Sequence, residues 1–64
     1  MLEEKKMILP KDPVMLLSVV NTQLRDKYSS LEELAMAYGV SAEEIQNTLQ
    51  KISYEYNEEL NQFK

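Results

Sequence analysis

Residues 29–52 read SSLEELAMAYGVSAEEIQNTLQKI, and this stretch decides the fold because it carries the signals for two helices and a turn. Ser30 and Glu33 have the spacing of a capping box. In that arrangement the serine accepts a hydrogen bond from a backbone N–H of the first turn, and the glutamate returns to the serine N–H. Ser41 and Glu44 repeat the spacing further along the chain. The pattern therefore predicts two helix starts.

The turn between these helices is marked by Gly39, the only glycine in the chain. A left-handed residue ends a helix there at the least steric cost. Val40 precedes the second serine and can pack on Ile45 as a hydrophobic staple. Largely apolar positions recur with helical spacing on both sides of the turn: Leu31, Leu34, Ala35 and Tyr38, then Ile45, Thr48, Leu49 and Ile52. We predict helices over 30–38 and 41–52, with a turn at 39–40.

The combination of Ala35, Gly39, Val40 and Ile45 resembles the helix-turn-helix motif of DNA-binding proteins. The alternative is a plain helical corner in a three-helix bundle. Any tight corner of two helices needs a small residue, a glycine and a branched apolar plug. Fold-level analogy does not establish a function, and we favour the plain corner.

An earlier helix is expected to begin at Asp12–Pro13, because aspartate is a good N-cap and proline suits the first helical position. It should run to about Tyr28, with one apolar stripe formed by Leu17, Val20, Leu24 and Tyr28. Its first half carries further apolar residues, which are candidates for a protein interface: Val14, Met15, Leu16 and Val19. Residues 1–8 are predicted to form a flexible segment. Met7, Ile8 and Leu9 can lie extended across the core of a single domain over 9–64, because Pro10 disfavours helix before it.

The C-terminal segment fits two patterns. Ile52, Tyr54 and Tyr56 alternate with polar residues, which is the strand period; Asn57 can open a turn, and residues 61–63 can return. The same segment also has helical spacing at Ile52, Tyr56, Leu60 and Phe63, which would extend the last helix. We predict the hairpin, since β-branched and aromatic residues favour strands. The expected fold is mostly α, a three-helix, helix-turn-helix-like bundle with a small C-terminal β-hairpin in the position of a winged-helix wing.

Composition restricts the function. The 64 residues carry a net charge of −4 and contain neither cysteine nor histidine. The usual zinc ligands and the usual general base are therefore missing, and a single glycine cannot build a phosphate-binding loop. We predict no enzyme activity, no cofactor and no metal. No apolar run approaches the roughly 20 residues needed to span a bilayer. The charged residues 3–6 do not fit a signal peptide, so a cytoplasmic protein without membrane contact is expected.

Most of the chain from Leu9 onward resembles a family of short bacterial proteins catalogued as domain of unknown function number forty-two fifty. Six runs carry the resemblance: Leu9–Pro10–Lys11–Asp12–Pro13, Met15–Leu16–Leu17–Ser18, Leu24–Arg25–Asp26, Tyr28–Ser29–Ser30–Leu31, Tyr54–Glu55–Tyr56 and Asn61–Gln62–Phe63. The resemblance implies a small cytoplasmic protein of Firmicutes-type bacteria, and it brings no activity or ligand. The family usually has a glycine just before the paired tyrosines, where this chain has Ser53.

Two functions remain open. The favoured one is a non-enzymatic interaction or regulatory module that binds protein, itself or a partner, through the apolar first helix. The alternative is a DNA-binding winged-helix protein that reads bases with the outer face of the 41–52 helix: Glu43, Gln46, Asn47 and Gln50. Amides can pair with adenine edges. The acidic balance argues against this alternative, because phosphate contacts by basic residues supply most of the affinity for DNA.

Overall fold

The computed structural model describes residues 9–64, and these fold as three helices followed by one antiparallel hairpin. The elements are α1 (Pro13–Asp26), α2 (Leu31–Tyr38), α3 (Ala42–Gln50), β1 (Tyr56–Asn57) and β2 (Gln62–Phe63). The predicted class, mostly helical with a C-terminal hairpin, is confirmed. The predicted flexible segment, residues 1–8, lies outside the described residues.

Helix α1 begins where the sequence predicts and ends two residues early. Pro13 is its first residue and Asp12 its N-cap, although the Asp12 side chain makes no capping hydrogen bond. The backbone carbonyl of Asp12 instead accepts from the N–H of Leu16 at 2.8 Å. At the other end the N–H groups of Lys27 and Tyr28 both turn to the carbonyl of Gln23. The chain therefore leaves the helix before Tyr28.

The two predicted serine caps are present. The Ser30 hydroxyl accepts from the N–H of Glu33 at 3.1 Å, and the Ser41 hydroxyl accepts from the N–H of Glu44 at 3.0 Å. For Glu33, the predicted hydrogen bond with the N–H of Ser30 is wrong by one residue. Its carboxylate accepts from the N–H and the hydroxyl of Ser29 rather than from the N–H of Ser30. The cap therefore also fixes the connection from α1.

The end of α2 follows the sequence signal. Gly39 has φ +72°, in the left-handed region that an L-residue enters only with strain. Its N–H donates to the carbonyl of Met36, and the N–H of Val40 donates to the carbonyl of Ala35 at 3.0 Å. These two bonds make a Schellman motif, which satisfies carbonyls that the helix leaves without partners.

The end of α3 repeats that motif without a glycine. Ser53 has φ +67°. Its N–H donates to the carbonyl of Gln50 at 2.9 Å, and the N–H of Tyr54 donates to the carbonyl of Leu49 at 3.1 Å. The helix predicted over 41–52 therefore ends two residues early, at Gln50, and the strand predicted from the alternation over 52–56 begins only at Tyr56. Ile52 belongs to the tight turn that closes α3, and residues before Tyr56 only lead into the hairpin.

The core joins all three helices to β2. Its members are Leu16, Val20, Leu24, Leu31, Leu34, Ala35, Ile45, Leu49 and Phe63. On α1 the fully buried stripe starts at Leu16, which is 3% exposed, whereas Leu17 is half-buried. The predicted stripe is therefore confirmed at Val20 and Leu24, and its outer members Leu17 and Tyr28 are half-buried against the core. The prediction omitted Leu16. For the same reason Leu16 is removed from the candidate interface, because it already packs inside the domain.

The hairpin is short and its register is fixed. Tyr56 lies opposite Phe63, and Asn57 opposite Gln62. Beyond this ladder Glu55 and Lys64 exchange both backbone hydrogen bonds, at 3.2 and 3.0 Å. The predicted turn role of Asn57 is confirmed, since its side-chain oxygen accepts from the N–H of Leu60.

Candidate interaction surfaces

One apolar surface remains open at the start of α1. Val14 and Met15 are 63% and 58% exposed, while Val19, one turn after Met15, is half-buried. These three residues, which flank the exposed Ser18, are called the α1 apolar surface below. It retains three of the four residues in the predicted interface, and Leu16 lies in the core beneath it.

An apolar depression of about 300 Å³ separates the N-terminal stretch from α3. Its lining is Leu9, Pro10, Lys11, Leu16, Val40, Glu44, Ile45 and Thr48. Leu9 packs against the core without helical structure, in agreement with the predicted extended crossing. Val40 and Ile45, the two residues of the predicted staple, both line this depression. The corresponding expectation for Met7 and Ile8 concerns residues outside the described part.

The hairpin is attached to α1 by Asn21. In an antiparallel ladder, hydrogen-bonded and non-hydrogen-bonded pairs alternate. Glu55 and Lys64 form a hydrogen-bonded pair, so the next pair, Tyr56 and Phe63, is a non-hydrogen-bonded one. The N–H and C=O of Phe63 therefore point away from β1. The Asn21 side chain receives both: its oxygen accepts from the Phe63 N–H at 2.8 Å, and its nitrogen donates to the Phe63 carbonyl at 3.1 Å. The Asn21 side chain thus makes the two hydrogen bonds that a neighbouring strand would otherwise make with Phe63.

A second attachment runs through Asn61 and Tyr56. The Asn61 amide nitrogen donates to the carbonyls of Leu24 and Tyr28, each at 3.0 Å. Its oxygen accepts from the Tyr56 hydroxyl at 2.6 Å, and that hydroxyl accepts from the N–H of Leu31 at 3.2 Å. The hairpin therefore satisfies backbone groups at the end of α1 and the start of α2. Sequence reasoning missed Asn21 and Asn61, because nothing local distinguishes them from surface asparagines.

The predicted DNA-reading residues share one exposed face. Glu43, Gln46, Asn47 and Gln50 all lie on the outer side of α3 and are exposed. Two adjoining depressions, of about 440 and 260 Å³, separate this face from α2 and the hairpin. Both include Gln46 and Tyr56, and together they are called the α3–hairpin groove. Its remaining lining residues are Ser29, Ser30, Leu31, Glu32, Ala42, Gln50, Tyr54, Glu55 and Glu58.

The charge of the α3–hairpin groove is uniformly negative. Glu32, Glu55 and Glu58 are the charged residues in its lining, and the lining contains no lysine or arginine. Of the four predicted DNA-reading residues, the structure brings Gln46 and Gln50 into the groove. Glu43 and Asn47 lie on the exposed face outside the lining.

A family comparison adds to this geometry. The model of the family described as domain of unknown function (DUF4250) matches residues 10–63. The chain belongs to this family. Comparisons of the DUF4250 chain with curated proteins and with solved structures give no match.

The span that matches DUF4250 starts just before α1 and ends with the buried Phe63. It therefore contains the α1 apolar surface, the α3–hairpin groove and both asparagine attachments. The match therefore covers all three helices and the hairpin.

The pKa shifts in the DUF4250 chain belong to residues outside both surfaces. A hydrogen bond from the exposed Arg25 lowers the pKa of the Asp26 carboxyl, and their atoms lie 2.9 Å apart. Burial raises the pKa of the Tyr38 hydroxyl, with a smaller contribution from Tyr28, whose ring centre lies 6.5 Å away. These residues are not among those of the α1 apolar surface or the α3–hairpin groove.

Within residues 9–64 the structure contains no group of three or more histidine, cysteine or acidic side chains placed to hold a metal ion. In the same part of the chain, no helix has the length and apolar character needed to cross a membrane.

Proposed function

We propose that this chain is a non-enzymatic interaction module that binds protein, itself or a partner, through the α1 apolar surface. The observation that carries the proposal is the exposure of two consecutive large apolar residues, Val14 at 63% and Met15 at 58%. Exposed apolar residues that are grouped together, rather than scattered, are typical of protein interaction sites. Catalysis is disfavoured because the sequence has no histidine to activate a serine nucleophile and no cysteine to act as a nucleophile itself.

The size of the surface indicates a weak interaction. Full burial of a large apolar side chain contributes about 1.5–3 kcal/mol. The exposed parts of Val14 and Met15 therefore contribute on the order of 2–4 kcal/mol together. A binding free energy of that size corresponds to a dissociation constant of about a millimolar or weaker. Val19 and polar contacts around Ser18 must supply any further affinity.

DNA binding through α3 is the second candidate, and the exposed amides of Gln46, Asn47 and Gln50 are the observation in its favour. We rank it below protein binding for an electrostatic reason. Glu43 lies on the same exposed face of α3, and Glu55 and Glu58 line the groove beside it. Their carboxylates would repel the phosphates of a duplex bound to this face.

The test compares substitutions at two exposed sites, Val14 and Met15 on α1 and Met36 on α2. We expect the double variant Val14→Ser/Met15→Gln to remain folded and to lower the apparent mass of the protein at concentrations from about a millimolar upward, where the affinity estimate predicts association. Sedimentation equilibrium over a concentration series provides the measurement. Met36→Gln is the control, because Met36 is 78% exposed on α2, away from the α1 apolar surface. It should leave the apparent mass unchanged.

A partner other than a second copy is tested with a photo-crosslinking residue at position 15 or at position 36 in the native cell. Adducts that form at position 15 and not at position 36 support a hetero-partner. A wild type that stays monomeric throughout the series, with equal or no crosslinking at the two positions, contradicts the proposed function.

A further inference from the structure

The α3–hairpin groove is a second open surface, and its walls differ in chemistry from the α1 apolar surface. Gln46 and Gln50 project from α3 and are exposed, so their side-chain amides are accessible to a ligand in the groove. Tyr54 and Tyr56 form the hairpin side. The Tyr56 hydroxyl is engaged with Leu31 and Asn61, and its ring packs partly against Phe63. Tyr54, 36% exposed, therefore offers the more open ring.

Three carboxylates surround these walls without converging on one point. Glu32 lies at the α2 end, and Glu55 and Glu58 lie along the hairpin. In the region 9–64 no three acidic side chains are close enough to hold a metal ion. The groove therefore suits an extended ligand with several separated positive charges better than a single cation.

Arginine fits this combination of groups better than lysine. Its planar guanidinium pairs with carboxylates through two parallel hydrogen bonds. It also stacks on aromatic rings, and its donors can reach side-chain amide oxygens at the same time. Carboxylates, tyrosine rings and exposed glutamine amides are all present in the groove lining.

We propose that the α3–hairpin groove binds an arginine-bearing segment of a partner protein. The charge of the lining decides between the possible ligands. The separated carboxylates of Glu32, Glu55 and Glu58 would repel a phosphate backbone and would attract the guanidinium groups of an arginine-bearing segment. The proposal is independent of the α1 apolar surface, since the two surfaces share no residue.

The probe is a short synthetic peptide with arginine at every third position between glycine and serine, titrated into the isotope-labelled full chain by NMR. We expect amide shift changes centred on Gln46, Gln50 and Tyr56. A matched peptide with citrulline for arginine keeps the planar shape and lacks the charge, so it should bind far more weakly. A matched lysine peptide should bind less tightly than the arginine peptide.

Two double variants with the same change in net charge supply the control. Glu55→Gln/Glu58→Gln removes two carboxylates that line the groove, and we expect it to weaken binding by about tenfold, as loss of two exposed ion pairs implies. Glu43→Gln/Glu59→Gln removes two carboxylates outside the lining and should change the affinity by about twofold or less, through screened long-range charge alone.

Three outcomes would overturn the proposal. Equal weakening by the two double variants would show a general charge effect without a site. Equal binding of the citrulline peptide would remove the role of the guanidinium charge. Shift changes at the same residues produced by a random duplex at physiological salt, but not by the arginine peptide, would assign the groove to nucleic acid.

Discussion

Gly39 and Ser53 occupy equivalent positions at the ends of α2 and α3, and both have a positive φ, +72° and +67°. Each N–H closes the helix that precedes it. Glycine enters this conformation freely, whereas serine enters it with a strain of about 1–2 kcal/mol. Substitutions at the two positions should therefore change the free energy of unfolding with opposite signs, and each change measures the cost of the left-handed backbone conformation.

We expect Ser53→Gly to stabilise the protein by up to about 1 kcal/mol, because relief of strain exceeds the extra entropy that glycine has in the unfolded chain. Gly39→Ala should destabilise it by about 1–2 kcal/mol. An added Cβ at Gly39 meets no atom within 4 Å, so that loss reports the backbone alone. Urea unfolding of both variants provides the measurement. If both variants change stability with the same sign, the strain assigned to Ser53 is wrong.

The hairpin is held to the helices by side-chain amides as well as by its own ladder. Asn21 supplies the acceptor and donor that Phe63 lacks on its outer edge, and Asn61 binds two carbonyls at the end of α1. A two-stranded hairpin alone is marginal in water. These contacts explain how strands of two residues each persist in the fold.

The Asn21 contact is tested by Asn21→Ala. We expect a loss of about 1–3 kcal/mol in the free energy of unfolding, since a part-buried backbone donor and acceptor lose their partner. Hydrogen exchange at the Phe63 amide should accelerate with it. Thr22→Ala is the matched control, because Thr22 is the next residue of α1 and is exposed. Unchanged exchange at Phe63 in the Asn21 variant would contradict the attachment.

Local signals in the sequence predicted the helices and their turn, because caps and a left-handed glycine act within a few residues. They left Leu16 off the buried stripe, since the first half of α1 is apolar on most of its faces and its period is ambiguous. They also began the strand at Ile52, because β-branched and aromatic residues masked a helix end formed by Ser53. The Asn21 attachment and the α3–hairpin groove join residues distant in sequence, so only the folded chain reveals them.

Phe63, in the strand β2, is one of the most deeply buried residues of the fold. Its side chain is 1% exposed, packs with helical core residues and lies 5.4 Å from the Tyr56 ring between centroids. A domain of this size buries only about 60% of the surface that its unfolded chain exposes. Its single core supplies on the order of 3–5 kcal/mol of net stability. The three helices therefore depend on the C-terminal strand to close their core.

We expect Phe63→Ala to leave the chain largely unfolded, since truncation of a buried phenylalanine costs about 3–5 kcal/mol, as much as the whole domain has. Circular dichroism should show loss of the cooperative thermal transition together with loss of helical signal. Leu60→Ala is the control within the same hairpin, because Leu60 is 52% exposed and should keep the wild-type transition within a few degrees. Retention of a cooperative helical transition by the Phe63 variant would instead show that α1, α2 and α3 close a core by themselves. The hairpin would then be an appendage of the bundle and not its last structural element.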